Sequence, residues 1–175
     1  MKNKFHKLLF VLVSVVLTMA LLTSCADING GNGGGTGDIG GGSFGEPVDT
    51  YQREVLRLVN AERAKRGISP MELANYTALS AAQLRAQELA EVFSHTRPNG
   101  SDCFSVLDEA GVSYGYAGEN IAWGYNSLST PAEVVEEWMN SPGHRANILT
   151  PEFTKLAVGY YCEGSDYYWV QIFIG

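Results

Sequence analysis

At 175 residues, with 45% apolar side chains and a formal charge of −7, the chain can build one hydrophobic core and is too acidic to favour nucleic acid or anionic lipid as a partner. The acid is concentrated downstream. The first 24 residues carry three of the twelve Lys and Arg and none of the nineteen Asp and Glu, leaving nine basic against nineteen acidic side chains, a formal −10.

Lys2, Lys4 and Lys7 form a basic start, and Leu8 to Leu22 form an apolar stretch too short for a comfortable membrane span. Leu22-Thr23-Ser24-Cys25 matches the bacterial lipobox, in which small residues precede a cysteine that is diacylated before the leader is removed. Residues 1–24 are therefore expected to be a lipoprotein signal peptide. Cys25 is expected to carry the lipid that holds the protein outside the cytoplasm on a bacterial cell membrane. The alternatives are an ordinary secretory leader cut near Ala26, or an uncleaved anchor. Residues 25–45 are mostly glycine with scattered polar side chains, too poor in apolar surface to offset the entropy of ordering, and read as a tether. Residues 46–175 are expected to form one domain.

With Cys25 assigned to lipid, Cys103 and Cys162 remain, an even number in an oxidising compartment. A disulfide between them is expected, closing a loop of about 60 residues; the alternative is two buried free thiols. No CxxC spacing suggests a cysteine-rich zinc site.

Within the domain, Val55, Leu58 and Val59 share a helical face that predicts a helix over 50–66, stopped by Gly67. Leu79, Ala82, Ala86, Leu89 and Phe93 recur at separations of three and four and predict a second helix ending near His95, ahead of a turn at Pro98-Asn99-Gly100. Cys103, Phe104, Val106, Leu107 and Ala110 suggest a short third helix. Thr130-Pro131-Ala132-Glu133 is a capping-box start for a helix over 131–140, and Ser141-Pro142 repeats the cap-plus-proline device for a short helix carrying His144. Leu156 to Cys162 alternates apolar and small residues. A turn at Glu163-Gly164-Ser165-Asp166 follows, and Tyr167 to Ile174 completes an antiparallel hairpin. A further strand is expected from Glu119 to Tyr125. Helices first and strands last indicate an α+β fold.

Outside the leader only His95 and His144 remain as histidines, each in a segment dense in turn residues, with Glu119 between them. Two imidazoles and a carboxylate can form a divalent-metal site, an acid–base pair, or a hydrogen-bonded cluster lining a cleft. Spacing alone does not choose among these.

Gly118-Glu119-Asn120-Ile121-Ala122-Trp123-Gly124, then Glu137-Trp138-Met139-Asn140-Ser141-Pro142-Gly143-His144-Arg145-Ala146-Asn147-Ile148-Leu149, and the closing Tyr168-Trp169-Val170-Gln171-Ile172-Phe173 resemble the CAP superfamily. This is the SCP-domain family of cysteine-rich secretory, antigen 5 and pathogenesis-related 1 proteins, and the likeness is to its bacterial secreted branch. The resemblance implies an α-β-α sandwich with a central antiparallel sheet of about three strands between helical layers. It also implies a cleft lined by two histidines and two acidic residues. By motif position, His95, Glu119 and His144 resemble three of those four; Asn120 and Ser141 join them as cleft residues. Where the family's second glutamate would stand, this chain has Ser141, with Glu133, Glu136 and Glu137 as substitutes from the preceding helix. The resemblance further implies a divalent ion, zinc above all, held by His95 and His144.

Three functions are consistent with this reading. The first is an anchored, non-enzymatic binding or interaction module for a small apolar, lipid, glycan or cell-wall ligand, with stacking surface from the hairpin aromatics Tyr160, Tyr161, Tyr167, Tyr168, Trp169 and Phe173, alternate members of which belong to the core. The second is a hydrolase, metal-assisted or using His95, Glu119 and His144 as catalytic groups. The third is a structural or adhesive surface protein. No Gly-x-Ser-x-Gly elbow or His-Glu-x-x-His helix is present, and Ser94 and Ser141 read as cap or turn residues.

Overall fold

The computed structural model describes residues 50–175. The expected leader, the expected lipidation of Cys25, the glycine-rich stretch and the first residues assigned to the domain lie outside the described residues. No helix among those described is long and apolar enough to cross a membrane.

Helix α1 (Thr50–Ala64) buries Val55 and Val59 and ends as its sequence requires. Gly67 takes a left-handed φ of +68° while Gly67 and Ile68 donate to the carbonyls of Ala64 and Arg63, the paired bonds of a glycine C-cap. After the two-residue strand β1 (Glu72–Leu73), Asn75 caps helix α2 (Tyr76–Glu91) by accepting from the Ala78 amide. The alanines of α2 let it lie close on the sheet. At Gly159 an added Cβ would fall inside van der Waals contact of the Ala82 carbonyl, so only glycine permits this approach. Helix α3 (Ser105–Glu109) follows, then strand β2 (Ala117–Tyr125).

Helix α4 (Pro131–Asn140) starts with the full capping box: Thr130 accepts from the Glu133 amide and Glu133 reaches back to the Thr130 amide. Ser141 ends α4 and begins α5 (Pro142–Ile148), but its hydroxyl makes no capping bond. Proline at the first helical position, rather than a side-chain cap, sets that start. Strands β3 (Lys155–Glu163) and β4 (Asp166–Ile174) form the closing hairpin.

The sheet runs β1-β3-β4-β2, with β2 and β3 antiparallel to β4. It has four strands, one more than expected, because β1 adds two parallel residues beside Lys155 and Leu156. So short a strand leaves no alternation to read in the sequence. One face packs Ile121, Ala157, Val170, Ile172 and Ile174 against α2 and α3. The other packs Ala122, Leu156, Val158, Trp169 and Phe173 against α1, α4 and α5, with Trp138 fully buried among them. Arg63, also fully buried, clasps this second layer together: its guanidinium donates to the carbonyls of Ser69, Ile148, Thr150 and Phe153 at 2.8–3.1 Å.

The hairpin aromatics divide as their alternation requires. Trp169 and Phe173 are core, and Tyr160 packs on Tyr51 and Trp169 at 4.8 and 4.3 Å between ring centres. Tyr161 and Tyr168 lie half-buried on the α2 face.

The expected Cys103–Cys162 disulfide is not formed, since Cys103 is a buried free thiol. The sheet keeps the two apart. Cys103 sits with Glu119 on the α2 side, whereas Cys162 follows Leu156, Val158 and Tyr160 in alternation and so belongs to the opposite face. Cys162 also lies in register with Tyr167, five residues along β4 from Ile172, the partner of Glu119, or roughly 16 Å along the strand.

Candidate functional site

Strand β2 is an edge strand, and its alternation sends adjacent side chains to opposite faces. Glu119 turns toward α2 and Asn120 toward α5.

On the α2 side Glu119 is buried and accepts from several donors. Arg85, from α2 and with no exposed surface, forks onto it: Nε lies 3.0 Å from Oε2 and Nη2 lies 3.3 Å from Oε1. His95 Nδ1 stands 2.8 Å from Oε1, and the Cys103 sulfur lies within 4.8 Å of the same carboxylate. Since the carboxylate is paired with a guanidinium and acts as acceptor, the Nδ1 of His95 carries the hydrogen. In its neutral form that leaves Nε2 with a free lone pair, on a side chain 57% exposed.

Behind this pair runs a longer network. Arg85 also donates to Glu88 at 2.9 Å and to the Ser94 carbonyl at 2.9 Å. Glu88 receives Arg97 at 2.7 Å, and Arg97 continues to Glu109 and Ser105, both at 2.8 Å. Burial draws the Arg85 guanidinium down, but Glu119 and Glu88 outweigh it and leave it raised. Hydrogen bonds donated to Glu88 raise Arg97 strongly, against the effect of its own burial. Burial, then the charge of Glu119, pushes the Cys103 thiol up to about 12, so it is a neutral thiol and not an activated nucleophile. Ser94 Oγ accepts from the Thr96 amide, a turn contact.

On the α5 side Asn120 is fully buried. It donates to Gln171 Oε1 at 3.0 Å and to the His144 carbonyl at 3.1 Å, and accepts from Asn147 at 2.8 Å. Asn147 and the Trp138 indole also hold the carbonyls of Glu119 and Ile121, so α4 and α5 cover this stretch of the sheet edge. Burial and the neighbouring His95 lower His144, against the opposing charge of Glu137. Its buried Nδ1 has no hydrogen-bond partner among the described residues, nor does Gln171 Nε2.

Four of the five expected cleft residues thus fall in two groups joined through β2: His95 with Glu119, and Asn120 with the backbone of His144. Ser141, at the junction of α4 and α5, makes no hydrogen bond to either group. Of the substitutes for the family's second glutamate, Glu137 is the one whose charge reaches His144, while Glu133 is spent on the capping box. Arg85, Glu88, Arg97, Asn147 and Gln171 were not singled out by sequence as site residues, and Cys103 was read only as half of a disulfide. Arg85 sits one place off the alanine stripe, beside Ala86, and a charge there was the available signal.

A divalent ion of the kind the resemblance implies is matched in part. The His95–Glu119 bond is the carboxylate–imidazole pairing that orients a ligating histidine through its other nitrogen. His95, Cys103 and Glu119 each offer a ligand atom within 4.8 Å of the other two; among the described residues no group of three such donors includes His144.

Along the α2 face of β2, Trp123 lies four residues beyond Glu119. It is half exposed, donates to Asp166 at 2.8 Å, and leans on Phe93 with 6.4 Å between ring centres. Phe93, two residues before His95, is itself 49% exposed.

A four-stranded sheet between helical layers, with histidine and glutamate brought to its β2 edge, defines an SCP-type domain. The chain belongs to the CAP family, the cysteine-rich secretory protein family, whose model matches residues 56–173. It is 43% identical over 130 residues to the uncharacterised protein YkwD of Bacillus subtilis (strain 168), a match covering 73% of this chain and 48% of YkwD. Among solved structures it is similar to an extracellular SCP-domain protein of Bacillus anthracis, with a TM-score of 0.64 and 27% identity over 71% of this chain and 40% of that one. An outer surface protein of Borrelia burgdorferi shares the fold, with a TM-score of 0.60 and 22% identity over 74% of this chain and 97% of that one. The chain spans about half the length of YkwD.

Proposed function

We propose that this chain is a non-enzymatic binding module, held outside the cytoplasm by lipid on Cys25, whose site takes a small apolar, lipid, glycan or cell-wall ligand. The observation that carries this reading is the state of Glu119. Its two oxygens are engaged by Arg85 and His95, which speaks against its use as a general base, while Phe93 and Trp123, farther along the same face, turn aromatic surface to solvent. Exposed rings on the same face as anchored polar groups suit a ligand with one apolar face and one hydrogen-bonding edge. Equilibrium binding of lipids and muropeptides, followed by tryptophan fluorescence, tests it. At least one class should bind, with affinity falling tenfold or more in Trp123→Ala; no uptake in any class refutes the reading. Loss of membrane association in Cys25→Ser tests the anchor.

A second reading, that the site holds a divalent transition ion, is favoured by the approach of His95, Cys103 and Glu119, whose ligand atoms lie within 4.8 Å of one another. The ion would supply a Lewis-acidic contact for the ligand. A metal titration followed by thermal unfolding tests it, because an ion bound by the native form raises its stability.

A further inference from the structure

Resting on that second reading, we infer that the ion's ligand set in this chain includes the Cys103 thiolate, with His95 and Glu119, making it a thiolate site for a soft or borderline ion such as Zn²⁺. The three residues differ in chemistry, yet their donor atoms converge within 4.8 Å. They arrive from separate places: His95 beyond the end of α2, Cys103 ahead of α3, and Glu119 on β2. Convergence from three segments is what builds a site, in contrast to neighbours along one helix.

The thiol has no other evident chemistry. It is buried, forms no disulfide, and faces a carboxylate, the opposite of the electropositive setting that activates a nucleophile. A buried free cysteine packed only for volume would face apolar side chains.

Charge supports the same assignment. Two guanidiniums, Arg85 and Arg97, stand against three carboxylates, Glu88, Glu109 and Glu119, so the network carries one excess negative charge before any ion arrives. A thiolate makes it two, which a divalent cation cancels. On binding, the Cys103 S–H bond breaks, its proton leaves to solvent and a sulfur–metal bond forms. His95 joins the set through Nδ1, the nitrogen that faces Glu119, and the hydrogen there transfers through solvent to Nε2, which its exposure allows. Thiolate among the donors excludes Mg²⁺ and Ca²⁺ and favours Zn²⁺ or Co²⁺.

The test is titration of the full reduced chain with Co²⁺, read by absorption. A near-ultraviolet sulfur-to-cobalt charge-transfer band saturating at one ion per chain is expected, lost in Cys103→Ser and kept in His144→Ala. Zinc-loaded wild-type protein should show one sulfur neighbour at about 2.3 Å by X-ray absorption, a measurement independent of how any variant folds. Cobalt uptake without a sulfur band, abolished by His144→Ala, overturns the thiolate assignment and leaves an ion held by the two imidazoles. A sulfur band that persists in Cys103→Ser also overturns it, and no uptake at all removes the metal reading itself.

Discussion

Replacing Glu119 by glutamine removes one charge from a site where Arg85 has no exposed surface. Stranding one member of a buried ion pair costs about 3–5 kcal/mol. Arg85 keeps Glu88 and the Ser94 carbonyl, so the lower end applies, about 3 kcal/mol by the same principle. At roughly 4 °C per kcal/mol for a domain of this size, the unfolding midpoint falls by about 10 °C. Arg85→Met strands Glu119 in turn and costs a similar amount. The double variant leaves neither charge behind, and Glu88 retains Arg97. It should therefore be more stable than the two single losses predict, by about 1.5 kcal/mol or more in a double-mutant cycle. Denaturant unfolding of the four proteins measures this. A coupling below about 0.5 kcal/mol would mean that the pair is solvated and that the argument from burial fails.

Three further outcomes are expected. Because His144 is lowered from its ordinary value of 6.5 in the folded chain, the unfolded chain binds its proton first as pH falls. Its contribution to stability is complete above that value and lost as pH drops through the lowered native one, and His144→Gln should flatten this slope; an unchanged slope refutes it. Gly159→Ala forces a Cβ onto the Ala82 carbonyl, and since backbone rather than a side-chain tip must yield, a loss of about 1–3 kcal/mol is expected in the denaturant midpoint. Thr130→Ala opens the capping box of α4 and should cost about 1 kcal/mol by the same measurement.

What the sequence made legible follows from where its information is local. The Thr130-Pro131-Ala132-Glu133 start, the alanine stripe of α2 and the alternation of the hairpin each contain their own geometry within a few residues, and each element formed, although α2 ends at Glu91, short of the expected end near His95, and leaves Phe93 outside the helix. Motif likeness carried His95, Glu119 and Asn120 to the β2 edge of the sheet. The Cys103–Cys162 expectation failed because counting cysteines carries no information about faces, and the sheet stands between them. Arg85 and Cys103 remained hidden for a related reason. Their partners are supplied by β2, and nothing within one helical turn of either residue announces a carboxylate thirty-four or sixteen positions downstream.

The placing of Glu119 and Asn120 on successive positions of one edge strand ties the chemistry of the site to the parity of the sheet. If β2 slid by a single residue along β4, the carboxylate would meet Asn147 and Gln171 while an amide met the buried guanidinium of Arg85, and both neighbourhoods would fail together. Misregistered chains therefore hold an unmatched charge where correctly paired ones hold a matched one. The candidate site doubles as a proofreading device for the strand that carries it.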